Sequence, residues 1–452
     1  MLFKVYIPGV GTPFAEIGDN SETLGGATAY MGANRINWAI IQVYNAIHRY
    51  LVGGDLIGPS QASKIVGNIS SQILQLGFES AARQMVLKTW ETRLREIIRG
   101  HPRKLLQIDV SVFGFSRGAA QARAFMHWLH EIARSNNDGC SHVLAGVPLR
   151  FKFLGIFDTV ASVGVAAMSR ITEGKMAWAD GDQMSIHPHV EQCVHYAALH
   201  EQRMNFPLDL ARGATVREVL YPGMHSDVGG GYGPGSQGKA PSEWGNSPNL
   251  SQVPLIDMHL DALKAGVMLK SIDEIRQSPV LSRAFSCDAK LIAAYNGWLT
   301  SHGIAQGNHA SQIRAHSRQY LAWKGMRSQN GAENILNQEF YLRADAEDKA
   351  DLRLGQGWFV TAVQSMQLSL TSILFGNREL LEATAATAPP PAVSGLFDNY
   401  VHDSLAGFYL SRFTELSFPG LRSVGYLRYR TVFDLTSTSQ AASCAISEPV
   451  AG

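Results

Sequence analysis

Leu105-Leu-Gln-Ile-Asp-Val-Ser-Val-Phe-Gly-Phe-Ser-Arg-Gly-Ala-Ala-Gln-Ala-Arg-Ala-Phe-Met126 is the stretch that decides the fold. Its first half is β-rich and apolar, as a buried strand is, and its second half sets small and apolar residues at helical spacing. Ala119, Ala120 and Ala122 let that helix approach a sheet closely. Between the halves lies Gly114-Phe-Ser-Arg-Gly118, a G-x-S-x-G sequence in the strand–turn–helix context that makes the pattern informative. Such a turn holds Ser116 in strained backbone with its hydroxyl exposed at the carboxyl edge of the sheet. Gly114 and Gly118 lack the Cβ atoms expected to clash there, and the N–H of Arg117 at the helix start faces a developing oxyanion. An ordinary strand-to-helix turn is the alternative; the flanking pattern favours a nucleophile.

The chain has 452 residues, enough for one large α/β domain with insertions or for two to three ordinary domains. It is 45% hydrophobic and 17% charged, with 39 basic against 38 acidic residues and a net charge of +1. A nucleic-acid binder carries a basic excess on at least one domain, so no nucleic-acid partner is expected. Four cysteines, Cys140, Cys193, Cys287 and Cys444, include no C-x-x-C, which argues against a disulfide scaffold or a cysteine zinc site. Met1-Leu-Phe-Lys-Val-Tyr-Ile-Pro-Gly9 lacks a signal peptide's apolar region, so synthesis in the cytoplasm without a cleaved signal is expected.

Outward from the central stretch, Phe3 to Ile7 reads as a first strand ending in Pro8-Gly-Val-Gly-Thr12. A glycine loop there is where a hydrolase of this architecture keeps its second oxyanion donor, and the N–H groups of Gly9, Val10 and Gly11 are candidates; a plain β-turn competes evenly. Helical spacing runs through Ala27 to Tyr50 and Ile65 to Ile98. Later strands are Arg150 to Phe157, Cys193 to Leu199 and Thr215 to Tyr221, followed by a helix from Val253 to Leu269. This alternation predicts an α/β fold: an α/β-hydrolase-like, mostly parallel sheet flanked by helices, with a largely helical C-terminal extension or cap. The expected divisions are a catalytic core over 1–270, a helical cap or lid-like insertion over 271–394, a segment packing back on the core over 395–435, and a flexible tail over 436–452. Gly357 to Phe375 is long and uncharged but too rich in Gln, Ser and Thr to span a membrane. A packed helix is favoured there over a lid or membrane-contacting helix, and Ala383 to Ser394 with its three prolines reads as a linker.

A serine hydroxyl needs a base, and the base needs an orienting acid. Asp158 ends one strand and His225 sits in a glycine-rich loop after another, so Ser116, Asp158 and His225 follow the chain order of α/β-hydrolase triads. Asp158 as a helix cap is the plainer alternative. Asp227 is the second choice for the acid, with anchoring of the Gly-rich loop as its other role. His402 is the second choice for the base, or a pocket residue. Gly233-Pro-Gly-Ser-Gln-Gly-Lys239 has P-loop spacing but continues with Ala240 and Pro241, and His200-Glu201 lacks its second zinc ligand because position 204 is Met. His187 and His189 around Pro188 read as a surface loop. No metal site and no cofactor are expected.

Gly114-Phe-Ser-Arg-Gly-Ala-Ala120, Phe157-Asp-Thr-Val-Ala161 and His225-Ser-Asp-Val-Gly-Gly-Gly-Tyr232 together resemble the α/β-hydrolase catalytic domain of type VI secretion phospholipase effectors. Pro8-Gly-Val-Gly11 and Ala198-Leu-His-Glu-Gln-Arg203 fit the same pattern, and Tyr400 to Ser404 and Gly425 to Arg430 are similar to segments of this group. The resemblance implies a phospholipase of the A1 or A2 type, delivered as an antibacterial toxin and acting on membrane lipid at the periplasmic face of a target cell. It also implies a cognate immunity protein and a docking partner on the secretion spike. The family's triad falls on Ser116, Asp158 and His225. A soluble esterase or thioesterase on small acyl compounds, and a non-catalytic membrane-binding scaffold, are the rival readings.

Overall fold

The computed structural model describes residues 1–20, 31–76, 79–135, 142–161, 177–179, 181–243, 245–368, 378–408 and 427–434. Its centre is a six-stranded sheet. Strands β1 (Ile108–Phe115), β4 (Val147–Phe157), β5 (Cys193–Ala198) and β7 (Val216–Tyr221) form a parallel ladder in the order β1-β4-β5-β7. The short strands β2 (Arg134–Ser135) and β3 (His142–Leu144) add an antiparallel hairpin against the beginning of β4. Every β5 residue is buried, as expected of an interior parallel strand whose two faces are both covered. A two-residue pairing of β6 (Leu208–Asp209) with β8 (Val432–Phe433) ties the far end of the chain to the loops above this sheet.

The helix Arg117–Ile132 lies against the sheet through Ala119, Ala120, Ala122 and Ala124, all buried. Its outer side packs into Gly32–Leu51, whose Ile36, Ile40, Ile41, Tyr44 and Ile47 repeat at three- and four-residue spacing. The helix Glu79–Gly100 completes this layer, with the Arg83 guanidinium stacked 3.8 Å over the Trp128 ring. On the other face, Gln252–Lys264 packs with Met258 and Ala262 against Phe153, Val194 and Tyr196. Helices at both faces of a parallel sheet are the arrangement that the alternating sequence pattern predicted.

C-terminal to this, the chain is helical, with Ala289–Ser301, His309–Arg327, Ala346–Leu368 and Pro391–Asn399 the larger described elements. Their apolar faces share one core with the sheet side: Trp298, Tyr320, Trp323, Leu352 and Phe397 cluster with Leu199, Leu208, Leu210 and Met224. Phe359, Ala362 and Met366 are buried, so the described part of the Gly357 to Phe375 stretch is a packed helix. Among the described residues no helix is long and apolar enough to cross a membrane.

Three sequence expectations need correction. Phe3 to Ile7 is not a strand: among the described residues it joins no ladder, and Val5 and Tyr6 face solvent. The linker expected from Ala383 to Ser394 is shorter, because Pro391 starts a helix whose Val393, Leu396 and Phe397 are wholly buried. Proline is well suited to a first helical position, where no N–H is needed. Third, His187 is buried, not on a surface loop, although Pro188 beside it is exposed. The expected tail over 436–452 lies outside the described residues.

Candidate active site

The turn between β1 and its helix holds Ser116 at φ 59° and ψ −127°, a conformation that non-glycine residues rarely occupy. Backbone bonds fix it there: the Ser116 N–H donates to the Phe157 carbonyl at 3.0 Å, and the Ser116 carbonyl accepts from the Ala119 N–H at 3.0 Å. Gly114 is required, because a Cβ at that position would come within 2.4 Å of the Gly118 carbonyl oxygen. The expectation for Gly118 fails on the same test: among the described residues a Cβ there would meet nothing within 4 Å. Ser116 is half-buried.

Asp158, immediately beyond β4, also has a positive φ of 41° and is wholly buried. Its Oδ1 accepts the Ala198 N–H at 2.8 Å and one Arg430 N–H at 2.7 Å, while Oδ2 accepts a second Arg430 N–H at 2.7 Å and the His225 Nδ1–H at 2.5 Å. Burial pushes the carboxyl up, but the paired guanidinium and the imidazole outweigh it and hold Asp158 well below the usual carboxylate range. It stays ionised.

His225 opens a short helix, His225–Gly229, instead of lying in a glycine loop. The cause is Asp227, whose Oδ2 accepts the Met224 N–H at 2.9 Å and so closes the first turn. The His225 ring is flanked by Phe115 at 4.5 Å and Phe206 at 4.8 Å between centroids. Gly229 lets this helix sit on β1, since a Cβ there would strike the Phe115 ring at 2.0 Å. Burial depresses the His225 pKa against the opposing pull of Asp158, which keeps the ring neutral with Nδ1 as its donor and Nε2 as its lone pair. Ser116 is bonded to Phe157, the residue before Asp158, and His225 packs on Phe115, the residue before Ser116.

The Pro8 to Thr12 segment forms a turn closed by a 3.0 Å bond from the Thr12 N–H to the Gly9 carbonyl, with Gly11 at φ 91°. Arg35 donates to the Pro8 and Thr12 carbonyls, and the Arg117 side chain donates to the Val10 carbonyl at 3.2 Å. The Arg117 guanidinium thus ties this turn to the residue that follows Ser116.

The two second-choice residues pair with one another. His402 Nδ1 donates to Asp227 Oδ1 at 2.6 Å, and Tyr232 stacks on the His402 ring at 3.9 Å. His225 is bonded to Asp158 in the same way. The two decoys resolve as structural groups. Lys239 is buried and donates to the Phe397 carbonyl at 2.6 Å, and His200 Nδ1 accepts the Gly223 N–H at 2.9 Å.

The supporting residues were missed in the sequence. Arg430 lies far from Asp158 in the chain yet binds both its oxygens and the Ala198 and Phe206 carbonyls. Glu201 accepts the His225 N–H at 3.2 Å, is clamped by Arg203 through two bonds, and accepts from Ser404. Burial raises the Glu201 carboxyl, but Arg203 and its neighbours bring it down to about 2. The Arg203 guanidinium covers the Phe206 ring at 3.6 Å, which holds Phe206 against His225. The available signal was charge within apolar alternation, as in Tyr-Leu-Arg-Tyr-Arg430.

Comparison with known proteins follows the same lines. Residues 133–260 match the catalytic domain of the Tle1-like phospholipase effectors of type VI secretion, so over that segment the chain is similar to this family. A crystal structure of an uncharacterized protein from Pseudomonas aeruginosa matches with a TM-score of 0.73 and 26% identity, over 95% of this chain and 72% of that one. A structure of the Tle1 effector bound to the VgrG spike of the type 6 secretion system matches at 16% identity over 58% of this chain and 66% of that one, with a TM-score of 0.32. No curated protein matches the chain. The family match supports a phospholipase effector role, and the fold is the expected mostly parallel sheet with a helical C-terminal region.

Proposed function

We propose that this protein is a phospholipid carboxylic-ester hydrolase of the A1/A2 class, working through an acyl-enzyme on Ser116, His225 and Asp158. The observation that carries the reading is the Asp158–His225 bond beside a strained Ser116 at the carboxyl ends of parallel strands. In this mechanism Ser116 Oγ attacks the ester carbonyl while His225 Nε2 takes its proton. Asp158 accepts the Nδ1–H throughout and stabilises the imidazolium that forms. The N–H of Arg117 and those of Gly9, Val10 or Gly11 stabilise the tetrahedral oxyanion. Collapse breaks the ester bond, and the lysophospholipid leaves with the proton from His225. Water, deprotonated by the same imidazole, then releases the fatty acid and restores Ser116.

Taken with the family match over 133–260, the same reading makes the protein an antibacterial effector of type VI secretion. Its partners are then a phospholipid membrane at the periplasmic face of a target cell, a spike component and a cognate immunity protein. The test is fatty-acid release from phospholipid vesicles by the wild type and by Ser116→Ala. A loss of at least about 10³-fold with an unchanged circular dichroism spectrum is expected. Full activity in the variant, or no fluorophosphonate adduct on Ser116 in the wild type, overturns the mechanism. Hydrolysis of short soluble esters without any gain on vesicles overturns the lipid assignment alone.

A further inference from the structure

Five histidines from three separate parts of the chain gather at one place away from the candidate active site. His127 and His130 lie in the last turns of the helix Arg117–Ile132, His142 begins β3, and His187 and His189 precede β5. His130 lies 4.3 Å from His142 and 4.0 Å from His187 between ring centroids, and His142 lies 4.3 Å from His189. Two of the five already serve the backbone. His127 Nε2 donates to the Ser185 carbonyl at 3.1 Å, and His187 Nδ1 accepts the His189 N–H at 3.3 Å. His130, His142 and His189 each bring one ring nitrogen within 4.8 Å of the others.

We propose that His130, His142 and His189 form a binding site for one divalent transition-metal ion of the zinc class. Three imidazole nitrogens around tetrahedral zinc, at about 2.0–2.1 Å from the ion, stand about 3.4 Å apart. Closing from at most 4.8 Å moves each ring nitrogen by about 1 Å. Imidazole without thiolate suits zinc, and also cobalt, nickel and copper, better than magnesium or calcium. A core needing only bulk would use apolar side chains, since burying polar rings is costly. His142 is buried while His130 and His189 are half-buried, which gives an ion a way in and leaves a fourth position for water.

The location fixes the role. His130 is fourteen residues beyond Ser116 along the helix, about 21 Å at 1.5 Å per residue, so the ion is remote from the ester chemistry. It pins the β2–β3 hairpin and the segment entering β5 to the end of the helix that carries Ser116. Untagged Ser116→Ala protein, stripped with chelator and dialysed against zinc chloride, should bind one equivalent by elemental analysis. Cobalt chloride should give the visible absorption of a tetrahedral site. His142→Ala should lower zinc affinity by at least about 100-fold, and the more exposed His189→Ala does the same where His142→Ala is unfolded. His187→Ala should retain one equivalent. Failure of the stripped protein to bind zinc, or unchanged affinity in folded His189→Ala, overturns the site.

Discussion

His225 with Asp158 and His402 with Asp227 are both buried pairs in which Nδ1 bonds a carboxylate, at 2.5 and 2.6 Å, yet their surroundings differ. The His225 ring lies between Phe115, the residue that precedes the strained Ser116, and Phe206. The His402 ring lies flat on Tyr232, and its Nε2 is buried with no hydrogen-bond partner among the described residues. Asp158 is gripped by Arg430 through both oxygens, whereas Asp227 spends one oxygen on the Met224 and His402 amides. An imidazole–carboxylate pair is thus no signature of catalysis by itself. A third pair, His195 with Glu218, shows the purely structural use: its Nε2 accepts the Thr159 N–H at 3.1 Å and steadies the backbone beside Asp158.

The largest effect should come from removing one imidazole or the other. His225→Ala is expected to lower kcat by at least about 10⁴-fold on phospholipid vesicles. His402→Ala should leave kcat within about threefold while lowering stability by about 1–3 kcal/mol, the cost of stranding buried polar groups. Equal losses of kcat in the two variants, measured by fatty-acid release at matched folded fraction, would break the comparison.

Arg430→Met isolates the grip on Asp158. It leaves a buried carboxylate without its guanidinium, a change that costs about 3–5 kcal/mol and is readable as a lowered midpoint in urea unfolding. An unchanged midpoint would mean that Asp158 does not depend on this pair.

The smallest effect is in pH dependence. Burial lowers the His225 pKa, so the neutral base persists to lower pH than in a free imidazole, and the acid limb of kcat/KM should have its midpoint below about 6.5. Asp158 is likewise depressed in the fold, with burial opposed and outweighed by Arg430 and His225. For both groups the unfolded chain binds more protons, so stability rises with pH. The contribution of Asp158 is fully present above about pH 3.9 and is lost as the pH falls toward its folded value, whereas that of His225 begins to be lost below about pH 6.5. Activity should therefore fall on acidification before the protein unfolds; coincident transitions would contradict the assignment of the base.

Much of the site was legible because local chemistry specifies it. G-x-S-x-G between an apolar strand and a small-residue helix demands the tight turn at Ser116, and the order serine, aspartate, histidine follows the strand ends. The early strand at Phe3 to Ile7 was misread since five alternating residues carry no information about whether a partner exists to pair with them. Which of Asp158 and Asp227 pairs with which of His225 and His402 is open in the sequence for the same reason: each is a reasonable residue in a reasonable loop, and only the fold pairs His225 with Asp158 and His402 with Asp227.

Periodicity and glycine spacing alone determined the α/β architecture and the strained turn at Ser116, and composition alone the near-balance of 39 basic against 38 acidic residues. These properties arise within a few residues, where backbone sterics and side-chain size act. Tertiary structure alone decided which imidazole meets which carboxylate, that Arg430 closes over Asp158, and that histidines at 130, 142 and 189 converge. Those facts depend on contacts between distant parts of the chain, which form only when the buried faces of separate elements are brought together, and no local pattern encodes them.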